Sequence, residues 1–300
     1  MNGRYTVSIL NIFYKAFFVL PLLFFPFFAN AATPTLSVYP QSVIQGEPVE
    51  IVVQNTASSS VKSISFNGPP AGEAGKNLGV FSYQNKPTAL VGVDINQKPA
   101  TYKIYATMSD GTILEKDLVV GARTMPTVAF SIPEKLGGNA TSSAVTLATT
   151  LARENAELIG LKTGTKAFWT NKFIFPLPQI TVTDPYGYLR DTSGVSITHK
   201  GTDFRASIGT PVEAMNRGVV RLTKRFTEYG NTIIVDHGLG LMTFYMHLSK
   251  INVNVGELVQ QGQVIGLSGE TGDALAPHLH ITVRMSDISI DPMKFMNLFK

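Results

Sequence analysis

The chain contains no cysteine, which excludes disulfides and thiolate chemistry and leaves metal or proton-transfer work to imidazole and carboxylate groups. Histidine is also scarce, with five in 300 residues, at positions 199, 237, 247, 278 and 280. Charged side chains make up only 15 % of the chain against 44 % hydrophobic, so a disordered polyelectrolyte is excluded and real cores can be buried. The formal charge of +4 includes Arg4 and Lys15, the only charged side chains before Glu47; without them the excess over 21 acidic side chains falls to +2. No basic stripe is present, which argues against a nucleic-acid partner.

A long uninterrupted apolar run is missing too. The stretch from Ala16 to Ala29 is shorter than the roughly 20 residues that span a bilayer, and Pro21 and Pro26 interrupt it. It follows a cationic segment ending at Lys15, and Ala29-Asn30-Ala31 supplies an A-x-A cleavage pattern. Residues 1–31 therefore read as a signal peptide, with a retained anchor as the alternative. Either way the chain is expected to be exported, to the periplasm or cell envelope, with membrane contact confined to export.

Three hundred residues suggest about two domains. Residues 32–124 alternate short β-branched and aromatic runs ("TLSVYP", "PVEIVVQN", "TYKIYATM") with Gly, Pro, Asn and Asp turns, and "SDGT" reads as a hairpin turn. An immunoglobulin-like β-sandwich is expected there, serving as a spacer, docking or regulatory module. Residues 125–172 read as a linker with one helix, capped by Ser142 or Ser143, with Leu147, Leu151 and Leu158 at helical spacing and Gly160 at its end. Residues 173–300 return to strands, and the whole chain is expected to be mainly β and monomeric.

What remains is the clustering of histidines. In "DALAPHLHITVRM", His278 and His280 are two apart at the start of an expected strand, so both project from one face. Upstream, "ITHKGTDFRA" holds His199 and Asp203 four apart, with Gly201 favouring a turn over a helix. That pair plus one histidine from His-Leu-His would give a His-Asp-His set suited to a zinc with an open position for water. In "TFYMHLSK", His247 alternates with Tyr245 and Thr243, which would let it overhang the same groove with Tyr245 as a lining residue. His237, in "VDHGLG", reads as a structural residue.

The segments "HKGTDF", "YMHL" and "HLH", with "YGNTIIVDHG" and "VGELVQQGQVIGLSGETG", resemble the lysostaphin/LytM-type zinc peptidases of family M23, from about Phe175 to Pro292. The resemblance implies a compact antiparallel β domain with a groove and one Zn2+ per chain. It implies His199, Asp203 and His280 as zinc ligands, with His278 and His247 flanking the attacking water and the scissile carbonyl. Without an H-E-x-x-H helix, a histidine is the expected base, His278, leaving His247 to stabilise the oxyanion by a hydrogen bond or as imidazolium. The stretch "TDPYGYLRDTSGV" departs from the family's arginine-rich pattern, with Tyr186, Tyr188 and Arg190 as groove candidates. The implied activity is hydrolysis of peptide cross-links in bacterial peptidoglycan, under the control of a possible regulatory envelope protein. The alternative is a non-catalytic wall-binding scaffold or an activator of another hydrolase, which a complete ligand set disfavours.

Overall fold

Period-two alternation of apolar residues builds the first half of the molecule. The computed structural model describes residues 1–3, 32–67 and 76–299; nearly all of the expected signal peptide, and the Gly- and Pro-rich segment 68–75, lie outside them. Among the described residues nine strands follow from residue 35: β1 (Thr35–Tyr39), β2 (Ser42–Ile44), β3 (Pro48–Gln54), β4 (Val61–Asn67), β5 (Lys76–Leu78), β6 (Phe81–Tyr83), β7 (Lys86–Gly92), β8 (Ala100–Met108) and β9 (Ile113–Gly121). They form two sheets, ordered β1-β3-β7-β6 and β2-β9-β8-β4-β5. Val49, Ile51, Val53 and Val91 of the first sheet meet Ile64, Ile104, Ala106 and Leu118 of the second in one buried core. The β8–β9 hairpin pairs Thr107 with Ile113 around the expected Ser-Asp-Gly-Thr turn, where Gly111 takes φ +90.

After β10 (Thr127–Ala129) comes α1 (Thr141–Glu157). Its start differs from the expected serine cap. Ala140 holds the capping position without a side-chain bond, and the Ser143 hydroxyl instead donates to Gly137 O at 2.9 Å. The tight turn at 134–137 carries that carbonyl over the first helical turn, where Ser143 reaches it. Ala144 and Leu147 are buried against Ile132, and Leu158 is buried at the far end. Among the described residues no helix is long and apolar enough to cross a membrane.

The remaining strands are β11 (Val182–Asp184), β12 (Leu189–Thr192), β13 (Val195–Thr198), β14 (Thr202–Arg205), β15 (Pro211–Glu213), β16 (Gly218–Arg225), β17 (Asn231–Gly238), β18 (Leu241–Leu248), β19 (Lys250–Ile251), β20 (Leu258–Val259), β21 (Val264–Leu267), β22 (His278–Met285) and β23 (Ile288–Ile290), before a short α2 (Pro292–Met296). The main sheet runs β11-β14-β22-β18-β17-β16-β20, with β23 on β22. Leu279, Ile281, Val283 and Met285 point from one face of β22 into a core with Phe204, Val235 and Tyr245. His280, Thr282 and Arg284 therefore occupy the other face.

The two cores meet at Trp169, the chain's single tryptophan. Its ring lies 5.1 Å from Phe81 and 5.3 Å from Tyr83 on the sandwich, and 5.2 Å from Phe173 and 5.1 Å from Phe299 on the other side. Residues 33–300 accordingly form one unit. His237 is structural, as its sequence context suggested. Fully buried beside Phe173, it places Nδ1 2.9 Å from Arg217 O and Nε2 2.9 Å from Thr243 Oγ1.

Two expectations follow. Replacing Phe173 with alanine should lower unfolding stability by about 3–5 kcal/mol and shift Trp169 emission, read by urea melts and fluorescence; an unchanged midpoint would contradict the packing. Burial pushes the His237 imidazole down to about 4. Its unfolded form takes up a proton first, so stability is lost as pH falls from about 6.5 toward 4, by on the order of 3 kcal/mol. His237→Gln should flatten that part of the pH–stability curve by one proton, and parallel curves for the two proteins would rule the assignment out.

Candidate metal centre

Strand register assembles the site. β14 pairs antiparallel with β22 so that Asp203 stands opposite His280, and directly opposed residues share a face. His199 follows β13 and precedes β14, its N–H donating to Tyr188 O at 2.8 Å. Gly201 makes the approach feasible, because a Cβ there would sit 2.2 Å from His280 Nε2 and 2.6 Å from Ile281 O. His199, Asp203 and His280 are all buried, and one donor atom from each lies within 4.8 Å of the others.

Hydrogen bonds fix which atoms those are. His199 Nδ1 lies 3.0 Å from Pro185 O, a carbonyl that can only accept, so Nδ1 carries the proton and Nε2 a lone pair. His280 Nε2 lies 2.9 Å from Thr282 Oγ1, whose hydroxyl donates to Lys200 O at 3.4 Å, so His280 Nε2 donates and Nδ1 holds the lone pair. The two lone-pair nitrogens face each other at 3.1 Å, and Asp203 Oδ1 is 3.2 Å from the first and 2.7 Å from the second. Three lone pairs at such spacing repel unless a cation lies between them. Ligand–ligand edges in a tetrahedral zinc site with bonds of about 2.0–2.1 Å are about 3.3 Å, so the donor set fits such an ion with slight opening. Burial alone would raise the Asp203 carboxyl, but positive charge on the His199 and His280 side, carried by the imidazoles or by an ion held between them, outweighs burial and holds Asp203 well below the usual carboxylate range. Burial pushes His280 down to about 4, so its ligand form is the neutral one.

The other two candidates stand beside this trio. His278 Nδ1 lies 2.8 Å from Ala276 O, and its Nε2 lies 3.8 Å from Asp203 Oδ1. His247 Nδ1 lies 2.8 Å from Thr271 O, with ring centroids 4.7 Å from His278 and 6.0 Å from His280. Burial, then the neighbouring imidazoles of His278 and His280, hold His247 well below its ordinary pKa and therefore neutral.

The expected alternation of Thr243, Tyr245 and His247 on one groove-facing side does not hold. Tyr245 pairs with Ile281 on the core face, is fully buried, and its hydroxyl accepts from Met215 N–H at 2.8 Å, so it does not line the groove. His247 would share that face but for a bulge. The β17–β18 register shifts between Asn231/Leu248 and Ile233/Tyr245, and His247 takes φ +60, which turns its ring toward the trio. Arg190 reaches the site through ion pairs, clasping Asp184 and Asp203 Oδ2 with its guanidinium over the Phe130 ring at 4.9 Å. It thereby holds the oxygen of Asp203 that faces away from the histidines. Tyr188 is half-buried and contributes its carbonyl to His199, and Tyr186 is buried with its hydroxyl donating to Ser289 O at 2.9 Å; neither side chain lines the cavity.

The cavity itself has a volume of ≈ 370 Å³ and is lined by His199, His247 and His280 together with Arg190. One wall comes from α1, through Ala148, Leu151, Ala152 and Asn155, so the connector helix is part of the site. It is anchored by Glu154, whose carboxylate accepts from the N–H groups of Thr227, Glu228 and Tyr229, and by Arg284, which donates to Leu158 O and Asn155 Oδ1. Glu228 and Asp273 also line the cavity, unforeseen from the sequence, where each is an isolated acidic residue in a turn.

Residues 197–292 match the model of peptidase family M23. Over 96 residues the chain is 46 % identical to the peptidoglycan DD-endopeptidase ShyA of Vibrio cholerae, a stretch covering 32 % of this chain and 22 % of that protein. Over 119 residues it is 41 % identical to the glycyl-glycine endopeptidase ALE-1 of Staphylococcus capitis, covering 37 % and 33 % respectively. The chain thus matches about a fifth to a third of the length of these relatives. A crystal structure of a putative M23 peptidase from Pseudomonas aeruginosa superposes with a TM-score of 0.60 at 25 % identity, over 85 % of this chain and 96 % of that one. Residues 197–292 of this mainly β chain are a peptidase family M23 domain.

Proposed function

We propose that the protein is an exported zinc endopeptidase that hydrolyses peptide cross-links of bacterial peptidoglycan. The observation that carries this reading is the set of lone pairs on His199 Nε2, His280 Nδ1 and Asp203 Oδ1, converging at 2.7–3.2 Å with every alternative proton position tied to a carbonyl or hydroxyl. The similarity to a peptidoglycan DD-endopeptidase and to a glycyl-glycine endopeptidase supports a peptidoglycan substrate without choosing between D,D and glycyl links. We assign residues 173–300 to the peptidase domain, 125–172 to the linker, and 32–124 to an immunoglobulin-like module, the last supported by its two-sheet strand order.

In this reading His199, Asp203 and His280 hold one Zn2+, which when bound supplies Lewis acidity to a water and to the scissile carbonyl. Arg190 keeps Asp203 oriented by occupying Oδ2. His278, with Nδ1–H committed to Ala276 O, presents Nε2 to take the proton of the attacking water and return it to the leaving amine. His247, with Nδ1–H committed to Thr271 O and its ring neutral, presents Nε2 as an acceptor. It can donate to the carbonyl oxygen as charge develops there only after taking up a proton itself. The metal-free scaffold is the weaker reading, since such a protein has no use for three buried lone pairs left facing one another.

His199→Ala, Asp203→Ala and His280→Ala should each lose bound zinc, measured by atomic emission on purified chain. His278→Ala and His247→Ala should keep one zinc while muropeptide cleavage, followed by mass spectrometry, falls about 10²–10⁴-fold. Zinc retained by the first three variants, or lost from the last two, would reverse the assignment of ligands and helpers.

A further inference from the structure

Two carboxylates in the cavity have no hydrogen-bond or ion-pair partner among the described residues. Glu228 is 3 % exposed, its side chain makes no hydrogen bond, and its Oε2 is buried without a partner. Asp273 Oδ1 is buried and unpartnered as well. The two are tied together through the backbone, Asp273 N–H donating to Glu228 O at 2.7 Å. Both line the same ≈ 370 Å³ cavity as His199, His247 and His280. Glu154 stands behind them, but its carboxylate is already satisfied by three backbone N–H groups. Among the described residues no lysine or arginine makes an ion pair with either; Arg153, Arg190 and Lys135 act on them only from a distance. Burial, with Asp273 and Glu154 adding to it, pushes Glu228 up to about 7, and burial pushes Asp273 up to about 6. Buried carboxylates without donors are unfavourable until a cation or donor arrives.

We infer that Glu228 and Asp273 form a subsite, beside the metal-binding trio, for a primary ammonium group carried by the peptide substrate. The inference rests on the peptidase reading for the identity of that substrate. An ammonium suits the pair because it brings three donors and a single positive charge, which two carboxylates can share. A second divalent ion suits it less. Such an ion wants a third protein donor, Glu154 is committed elsewhere, and the three-donor convergence among the described residues is the His199 trio. The shared cavity lets a peptide with its scissile bond at the histidines bring a charged group to Glu228 and Asp273.

The test compares a muropeptide bearing a free primary amine with the same compound N-acetylated, on the zinc-loaded full chain. Binding is read by calorimetry and turnover by mass spectrometry, so the subsite and the peptidase reading are judged separately. Acetylation should weaken binding and lower kcat/KM by about tenfold or more, the worth of one charge-assisted hydrogen bond. Glu228→Gln and Asp273→Asn, checked for zinc content and circular dichroism, should each shrink that difference. Equal binding of the two forms, no binding of either, or undiminished discrimination in the folded variants overturns the subsite. Discrimination in binding without cleavage upholds it while sinking the peptidase reading. Uptake of a second zinc by the wild type that the two variants abolish would assign the pair to a metal and overturn the ammonium assignment.

Discussion

The antiparallel register of β14 against β22 is the constraint on which the site depends. Because Asp203 lies opposite His280, their side chains emerge on the same face at hydrogen-bonding distance. A slip of one residue would turn His280 into the core and bring Leu279 or Ile281 to the surface. The apolar face of β22 prevents this, since Leu279, Ile281, Val283 and Met285 are nearly fully buried and would all be expelled together. The hydrophobic pattern that folds the sheet therefore also aims the imidazoles. Gly201 then admits the His199 loop, which brings the third donor from outside the strand pair.

Protonation is fixed by the same framework. Each of His199, His247 and His278 has Nδ1 close to a backbone carbonyl, while His280 uses Nε2 on Thr282. Carbonyl partners leave no choice of tautomer, so the free nitrogens are acceptors before any ligand arrives. Burial opposes protonation of His247 and His280, which leaves His280 Nδ1 open to a cation and His247 Nε2 an acceptor. Arg190 offsets the negative charge of Asp203 from the opposite side without occupying the oxygen that faces the histidines.

Much of this was legible in the sequence because strand periodicity is local. The i, i+2 spacing of His278 and His280 and the strands flanking the Ser-Asp-Gly-Thr turn needed only neighbouring residues to be read. Periodicity misled at Tyr245 and His247. The bulge that separates them depends on pairing with Asn231 and Ile233, which the sequence of β18 alone does not reveal. The three-residue strands β2, β5 and β6 are too short to display a period at all. The role of α1 was hidden for a different reason. Its small residues Ala148 and Ala152 look like ordinary helix formers, and only tertiary contacts through Glu154 and Arg284 make them a cavity wall.

Zinc-edge X-ray absorption on the zinc-loaded full chain reads the first coordination shell without relying on variants. The account predicts two imidazole nitrogens at about 2.0–2.1 Å and one carboxylate oxygen at about 2.0–2.2 Å, with a solvent-derived light atom completing four-coordination. A shell with three or more imidazoles would contradict it, as would an all-oxygen shell without imidazole scattering.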